Sequence, residues 1–221
     1  MQNMEHMLLY RDIISLRKAL SEKHATAGGP GFVPTMGALH RGHISLVERA
    51  INENHAVAVS LFVNPTQFND PADFNRYPRD TGRDLEVLKQ VLREDDMVFV
   101  PGVEEIYPEP DRRKFDFGGL DRYMEGKHRP GHFNGVAQVV TRLFEIVQPQ
   151  RAYFGEKDFQ QMAIIRYITR TLKLPVEIVA CPIVREPDGL AMSSRNVLLS
   201  ESERKEAALI SQTLFRAREM Y

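Results

Sequence analysis

The sequence lacks the features that mark secreted or membrane-spanning proteins. Cys181 is its only cysteine, so no internal disulfide can form. The longest apolar stretch, AVAVSLFV at 56–63, is interrupted by a serine and is far shorter than the roughly 18 residues that cross a bilayer. The opening MQNMEHMLLY has neither the basic segment nor the long apolar run of a secretion signal. We therefore expect a soluble protein of the cytoplasm with no membrane partner.

An excess of charge of either sign is also missing. Twenty-nine lysines and arginines face 30 aspartates and glutamates, for a formal net charge of -1. This balance gives no broad basic surface, so we expect no nucleic-acid partner and only a local anion site. The 221 residues, 43% of them hydrophobic, are enough to bury a sizeable core.

Short apolar segments alternate with amphipathic ones along the chain. The pattern predicts strands at 31–34, 56–63, 97–100, 151–154 and 176–181, and helices over 10–23, 44–54, 80–94, 135–148 and 158–173. Alternation of this kind is typical of an α/β, Rossmann-like, doubly wound parallel sheet. Ligands of such sheets bind beyond the carboxyl ends of the strands.

The remaining segments predict two irregular regions and a final helix. Residues 64–79 and 101–134 contain no clear periodicity, and such long loops are often binding elements. Ser200 and Glu203 stand in capping-box register before a helix that runs to the last residue. Its apolar face needs a partner, so we expect residues 1–186 to form the main domain and 187–221 to begin a small second domain.

Two histidines mark the start of the second predicted helix. His40 and His43, in HRGH, lie one helical turn apart on the same face. They could be packing residues, zinc ligands or part of an anion site. Zinc would need further ligands at a recognisable spacing, which the sequence does not offer. A helix amino terminus favours phosphate, and Gly42 between them would let a ligand approach the backbone closely.

The combination of a strand with H-x-G-H at the next helix start resembles the nucleotidylyltransferase superfamily. Further along, GEKDFQQ at 155–161 follows a predicted strand, and AMSSRN at 191–196 stands where that superfamily has a serine-containing phosphate loop. Six motifs, VPTMGALHRGH, FVNPTQF, YPRD, RPGHFNGV, FGEKDFQQ and VREPDGLAMSSRN, occur in the order found in the pantothenate synthetase (pantoate–beta-alanine ligase) family. The resemblance covers nearly the whole chain.

The resemblance implies an enzyme that condenses pantoate with beta-alanine, using ATP and magnesium, through a pantoyl adenylate, with release of pyrophosphate and AMP. It also implies a homodimer. The implied catalytic residues form a local cationic clamp around the triphosphate: His40, His43, Lys157, Ser193, Ser194 and Arg195. The implied ATP-binding set adds Met36, Gly42, Gly155, Asp158, Val184 and Met192.

The resemblance assigns pantoate to Met36, Gln67 and Gln161, and magnesium to Asp84, although Arg83 precedes Asp84 where some relatives have a second acid. His132 and Arg129 fall in a motif near the family's site, whereas His24, His55 and His128 match no motif and are expected to be solvated.

Other interpretations stay open for several of these residues. Asp158 could only cap a helix, Ser193 and Ser194 could form a turn, and Gln67 could cap its own loop. At the level of function, the alternatives are a nucleotide-binding module without catalysis and a transferase that adenylates a phosphate monoester.

Overall fold

The structure, a computed structural model, describes residues 7–24 and 29–220, with side chains for 7–22 and 29–220. In this part of the chain the centre is a six-stranded sheet in which every pairing is parallel. The strands are β1 (Leu8–Tyr10), β2 (Gly31–Thr35), β3 (Val57–Leu61), β4 (Met97–Phe99), β5 (Arg151–Gly155) and β6 (Glu177–Cys181). The predicted parallel α/β sheet is confirmed.

Helices connect the strands and cover both faces of the sheet. They are α1 (Ile13–His24), α2 (Arg41–Glu53), α3 (Pro71–Arg76), α4 (Thr81–Lys89), α5 (Val103–Ile106), α6 (Met124–His128), α7 (His132–Val147), α8 (Phe159–Thr171) and α9 (Glu201–Glu219). Successive strand side chains point to opposite faces. Phe32 accordingly packs in the core shared with α1, α7 and α8, while its neighbour Val33 packs in the core shared with α2 and α4.

The strand order fixes where a ligand can bind. The sheet runs β1-β4-β3-β2-β5-β6, so the chain builds outward from β2 in one direction through β3 and β4, and in the other through β5 and β6. The connection that leaves the carboxyl end of β2 therefore runs toward β3, whereas the one that leaves the carboxyl end of β5 runs the opposite way, toward β6. This is the topological switch point, where doubly wound sheets form a crevice.

Several predicted bounds differ from the structure, among them the starts of the helices predicted over 44–54 and 135–148, which begin at Arg41 and His132. The first helix begins at Ile13 rather than residue 10, because Leu8–Tyr10 forms the edge strand β1 beside β4. The helix predicted over 80–94 ends at Lys89, since Asp96 draws the following residues into a turn and accepts from Arg93 N at 2.9 Å and Val57 N at 2.8 Å. The regions predicted as irregular contain the short helices α3, α5 and α6.

The capping box of α9 is confirmed. Ser200 N donates to Glu203 Oε2 at 2.8 Å, and Glu203 N donates to Ser200 Oγ at 3.3 Å. The helix is held to the preceding loop by Arg204 Nη2, which lies 3.0 Å from Asp188 Oδ2. Leu209, Ile210 and Leu214 on its apolar face remain exposed. The division of the chain at 186/187 stays a prediction.

Candidate active site

The main pocket opens at the carboxyl ends of β2 and β5. Met36, directly after β2, and Gly155, the last residue of β5, both line it. It therefore occupies the crevice expected at the switch point. The structure brings together in this pocket every predicted site residue except Asp84: Met36, His40, Gly42, His43, Gln67, Gly155, Lys157, Asp158, Gln161, Val184, Met192, Ser193, Ser194 and Arg195.

The two histidines form the amino-terminal cap of α2. His40 Nδ1 accepts from Gly42 N at 3.1 Å, and His43 Nδ1 accepts from His40 N at 3.3 Å. A ring nitrogen that accepts carries no proton, so this hydrogen-bond pattern assigns the proton of each neutral ring to Nε2. The rings lie side by side, with centroids 4.0 Å apart. Each can then donate one N–H to a ligand.

The pKa values of these histidines change the expected character of the clamp. Burial, followed by the charges of His40 and Lys157, lowers the pKa of His43 from 6.5 to about 3. Burial, followed by Lys157, also lowers the pKa of His40. Both rings are therefore neutral donors near neutral pH, and the positive charge of the pocket comes from Lys157 and the arginines rather than from the histidines.

Gly42 is needed for packing within the cap. A Cβ atom at this position would lie 2.9 Å from both Cε1 and Nδ1 of His40, closer than carbon atoms normally approach. The space that the sequence suggested for a ligand is thus used by the His40 ring. The glycine shapes the pocket by allowing the imidazole to fold back over the first turn of α2.

Gln67 lies buried on the β2 side of the pocket. Its Nε2 donates to Met36 Sδ at 2.9 Å, and its Oε1 accepts from Asn64 Nδ2 at 3.3 Å. It does not cap its loop, because Asn64 Oδ1 accepts from Thr66 N at 3.3 Å and serves as the cap. Gln67 is therefore a buried amide that lines the pocket and is held next to Met36 by hydrogen bonds.

His132, at the start of α7, is tied to the same loop. Its Nδ1 lies 2.8 Å from the Gln67 carbonyl oxygen; a carbonyl only accepts, so Nδ1 carries the proton. The unprotonated Nε2 lies 3.5 Å from Arg129 Nη1. Burial lowers the pKa of His132, against the opposing effect of the Gln67 carbonyl. Both His132 and Arg129 line the pocket.

Lys157 and Asp158 form an ion pair just beyond β5. Lys157 Nζ lies 2.8 Å from Asp158 Oδ1, and both side chains are partly open to solvent. Asp158 stands at the position before α8, but its side chain makes no capping hydrogen bond. Asp158 therefore occupies the N-cap position, as one interpretation of the sequence had it, but its carboxylate pairs with Lys157 instead of capping the helix.

The serines of AMSSRN both shape their own loop and line the pocket. Ser193 Oγ accepts from Arg195 N at 3.3 Å, which starts a short 3-10 helix at Ser194–Leu198. Ser194 Oγ donates to the Ala38 carbonyl at 3.0 Å. Ser193 therefore has the turn-forming role that the sequence suggested. The hydrogen bond of Ser194 joins this loop to the segment that follows β2.

Asp84 has a structural role in the described chain. Its two carboxylate oxygens accept from Ala38 N at 2.9 Å and Leu39 N at 2.7 Å, and the residue is buried. No group of three or more His, Cys, Asp or Glu side chains within 7–22 and 29–220 could hold a metal ion. The protein groups of this part of the chain therefore do not form a magnesium site by themselves, and the role of Asp84 in holding magnesium stays a prediction.

The sequence did not single out several residues at the pocket. Tyr77, Phe68 and Glu125 line it, and burial raises the pKa of Tyr77. Asp73 lies just behind the pocket wall and pairs with Arg195. Tyr77 belongs to YPRD, one of the six motifs, and this motif was the sequence signal that could have pointed to Tyr77.

None of the helices in the described ranges is both long and apolar enough to span a membrane.

A parallel sheet with this pocket defines the chain as an α/β protein whose site is suited to an anionic ligand. The model of the Pantoate-beta-alanine ligase family matches residues 8–220. The chain therefore belongs to the pantoate-beta-alanine ligase family, whose enzymes form an amide bond.

Individual relatives agree with this assignment. The chain is 56% identical over 212 residues to a pantothenate synthetase of Bacteroides fragilis, covering 96% of this chain and 74% of that protein. The corresponding protein of Aquifex aeolicus is 52% identical, with 96% and 75% covered.

Solved structures show the same fold. A pantothenate synthetase from Thermus thermophilus superposes with a TM-score of 0.88 at 51% identity, covering 96% of this chain and 75% of that one. A pantoate-beta-alanine ligase from Francisella tularensis, complexed with beta-gamma ATP and beta-alanine, gives a TM-score of 0.86 at 38% identity, covering 93% and 78%.

Proposed function

We propose that this chain condenses pantoate with beta-alanine in two steps that pass through a pantoyl adenylate. In the first step a pantoate carboxylate oxygen attacks the α-phosphorus, and the bond to pyrophosphate breaks. In the second, the beta-alanine amine attacks the carbonyl carbon of the pantoyl adenylate, the bond from this carbon to the bridging oxygen breaks, AMP leaves with that oxygen, and the amine loses a proton. The nucleophiles belong to the substrates, so the protein needs no activated serine or cysteine.

The observation that carries the proposal is the pairing of neutral and charged donors around one pocket. The Nε2–H groups of His40 and His43 point from the amino terminus of α2, and Lys157 and Arg195 line the same pocket. Transfer of a nucleotidyl group depends on positioning and on charge stabilisation. Two neutral donors together with two cations can position the phosphates and stabilise their charge, although the protein has almost no net charge.

The two substrates of the first step occupy neighbouring parts of this pocket in the proposal. ATP lies with its phosphates between the α2 cap and the Ser193–Ser194–Arg195 segment, and its ribose lies near Asp158. Gly155, Val184 and Met192 border the adenosine. Pantoate lies near Met36, Gln67 and Gln161, whose neutral amides suit a hydroxy acid. The Francisella relative, crystallised with beta-gamma ATP and beta-alanine, supports the choice of ATP and beta-alanine as ligands.

The test is product formation from defined mixtures. The purified chain, supplied with pantoate, beta-alanine, ATP and magnesium, is expected to release AMP and pyrophosphate in equal amounts and to form pantothenate. Omission of pantoate should abolish both products. Release of ADP and phosphate, or ATP binding without turnover, would contradict the proposal and would favour a different reaction or a nucleotide-binding module.

Three further features remain proposals: a homodimer, which the family resemblance implies, and a cytoplasmic location and a second domain beginning at 187, which the sequence suggested. Light scattering on the purified protein tests the dimer, with a mass of about twice that of the 25.3 kDa chain expected.

A further inference from the structure

Asp73 connects three separate segments at the wall of the pocket. It belongs to α3, and its carboxylate accepts from the guanidinium of Arg195, 122 residues away: Nε to Oδ1 at 3.1 Å, Nη2 to Oδ1 at 3.1 Å and Nη2 to Oδ2 at 2.9 Å. Arg129, at the end of α6, places its Nη2 at 3.8 Å from Asp73 Oδ2. Both arginines line the pocket, whereas Asp73 does not.

The pairing leaves part of the Arg195 guanidinium available. Asp73 binds the edge formed by Nε and Nη2, and the guanidinium carbon Cζ lies over the Tyr77 ring, 5.2 Å from the ring centroid. Among the described residues, Nη1 of Arg195 has no hydrogen-bond partner. A guanidinium has five N–H donors in a fixed plane, so it can hold Asp73 and still donate to a second anion.

Fixing this side chain in advance favours ligand binding. The Arg195 side chain is 41% exposed, and a long exposed arginine loses rotamer freedom when a ligand immobilises it. Contacts from Asp73 on one edge and Tyr77 on one face restrict that freedom before the ligand arrives. An anion then meets a donor that is already oriented.

We propose that Asp73 is a positioning residue for nucleotide binding, which holds Arg195 so that its Nη1 edge faces the phosphates of ATP. The inference rests on the proposed function in one respect, namely that Arg195 contacts the triphosphate. A competing role, in which Asp73 blocks Arg195 until the phosphates displace it, has the opposite consequence: its removal would strengthen ATP binding.

The test is a double-mutant cycle on the full chain, read by calorimetric titration with ATP and magnesium and by AMP release. Asp73→Ala is expected to weaken ATP binding about 10-fold, the usual loss when a charge-assisted contact is removed. Arg195→Ala should weaken it at least as much. In the Arg195→Ala background the Asp73→Ala change should have little further effect, because the residue that Asp73 positions is gone.

Asp70→Ala is the matched control. Asp70 caps the same short helix by accepting from Ala72 N at 2.8 Å, so its removal disturbs α3 without touching either arginine. Pantoate binding, measured in the same way, should change less than ATP binding in Asp73→Ala. A structural effect through α3 would weaken ATP binding equally in Asp70→Ala and Asp73→Ala.

Three results would overturn the proposal: unchanged or tighter ATP binding in Asp73→Ala, an equal loss in Asp70→Ala, or the same factor for Asp73→Ala with and without Arg195. A failure of the proposed function is distinguishable, because it would show as absent AMP release in the unmodified chain while the calorimetric comparison still measures the role of Asp73.

Discussion

His40 and His43 are joined through the backbone as well as by their rings: the amide N–H of His40 donates to Nδ1 of His43 at 3.3 Å, while the ring centroids lie 4.0 Å apart. This cap closes the first turn of α2 and assigns both ring protons to Nε2. A single feature thus stabilises the helix and creates two donors that face the pocket.

Two substitutions of His43 should separate these roles. His43→Asn keeps an acceptor near the position of Nδ1 but loses the Nε2 donor, whereas His43→Gln keeps a donor near Nε2 but loses the cap. We expect His43→Asn to lower kcat for AMP formation by about 10²-fold and His43→Gln to lower it less. Steady-state kinetics measures kcat of both variants. An equal loss of kcat in the two variants would show that the Nε2 donor does not account for the effect of His43.

The low pKa of His43 predicts a pH dependence of stability. Below pH 6.5 the unfolded chain binds a proton at this residue, whereas the folded chain does not until about pH 3. The free energy of unfolding should therefore fall as the pH is lowered through this window, with His43 contributing at most roughly 1.4 kcal/mol per pH unit.

Urea unfolding of the unmodified chain and of His43→Gln at several pH values checks this. The stability of the variant relative to the unmodified chain should rise as the pH falls from 6.5 toward 3. His55→Gln, at an exposed histidine, is the matched control. A stability difference that stays constant with pH in His43→Gln would show that the histidine is not held neutral by the fold.

A methyl group at Gly42 should disturb the pocket, whereas a methyl group at Gly82 should be tolerated. Gly42→Ala places a Cβ 2.9 Å from two ring atoms of His40, whereas at Gly82, in α4, the nearest atom is 3.6 Å away. We expect Gly42→Ala to displace the His40 ring and to weaken ATP binding by about 10-fold, as loss of one hydrogen bond to a charged ligand does.

Gly82→Ala should leave ATP binding unchanged and should stabilise the chain by up to about 1 kcal/mol, the difference between alanine and glycine inside a helix. Calorimetric titration with ATP, combined with thermal unfolding, compares the two variants. Equal ATP affinity in both would mean that the position of the His40 ring has no effect on nucleotide binding.

Lys157 is expected to stabilise the charge that develops during adenylation. Lys157→Ala should slow pyrophosphate release by about 10²- to 10³-fold, the usual loss for one oriented charge-stabilising donor. Lys89→Ala, which removes an exposed lysine paired with Glu86 at 2.6 Å, is the control and should be silent. Single-turnover pyrophosphate release makes the comparison, and an unchanged rate in Lys157→Ala would remove this residue from the clamp.

The fold was predictable where local pattern and burial agree. The apolar run at β3 is buried on both faces, as a central parallel strand must be, and the capping box of α9 follows from two residues three positions apart. β1 was missed because three residues are too short for a periodic signal. Its pairing with β4 depends on contacts between distant parts of the chain.

The site was predictable to the extent that its residues occur in recognisable motifs. Met36, His40, Lys157 and Arg195 come together as the motif order suggested. The sequence could not show that the histidines are neutral, because their pKa values depend on burial in the folded chain. The contacts of Asp73 with Arg195 likewise arise only when segments 122 residues apart meet.

Oxygen isotope transfer shows whether the pantoate carboxylate becomes bound to the α-phosphorus of ATP. Pantoate labelled with oxygen-18 in its carboxylate is incubated with the chain, ATP, magnesium and beta-alanine, and the AMP is analysed by mass spectrometry. We expect one oxygen-18 atom in each AMP formed from fully labelled pantoate, because the oxygen that attacks the α-phosphorus leaves with AMP. Unlabelled AMP, formed together with pantothenate, would show that no pantoyl adenylate is formed.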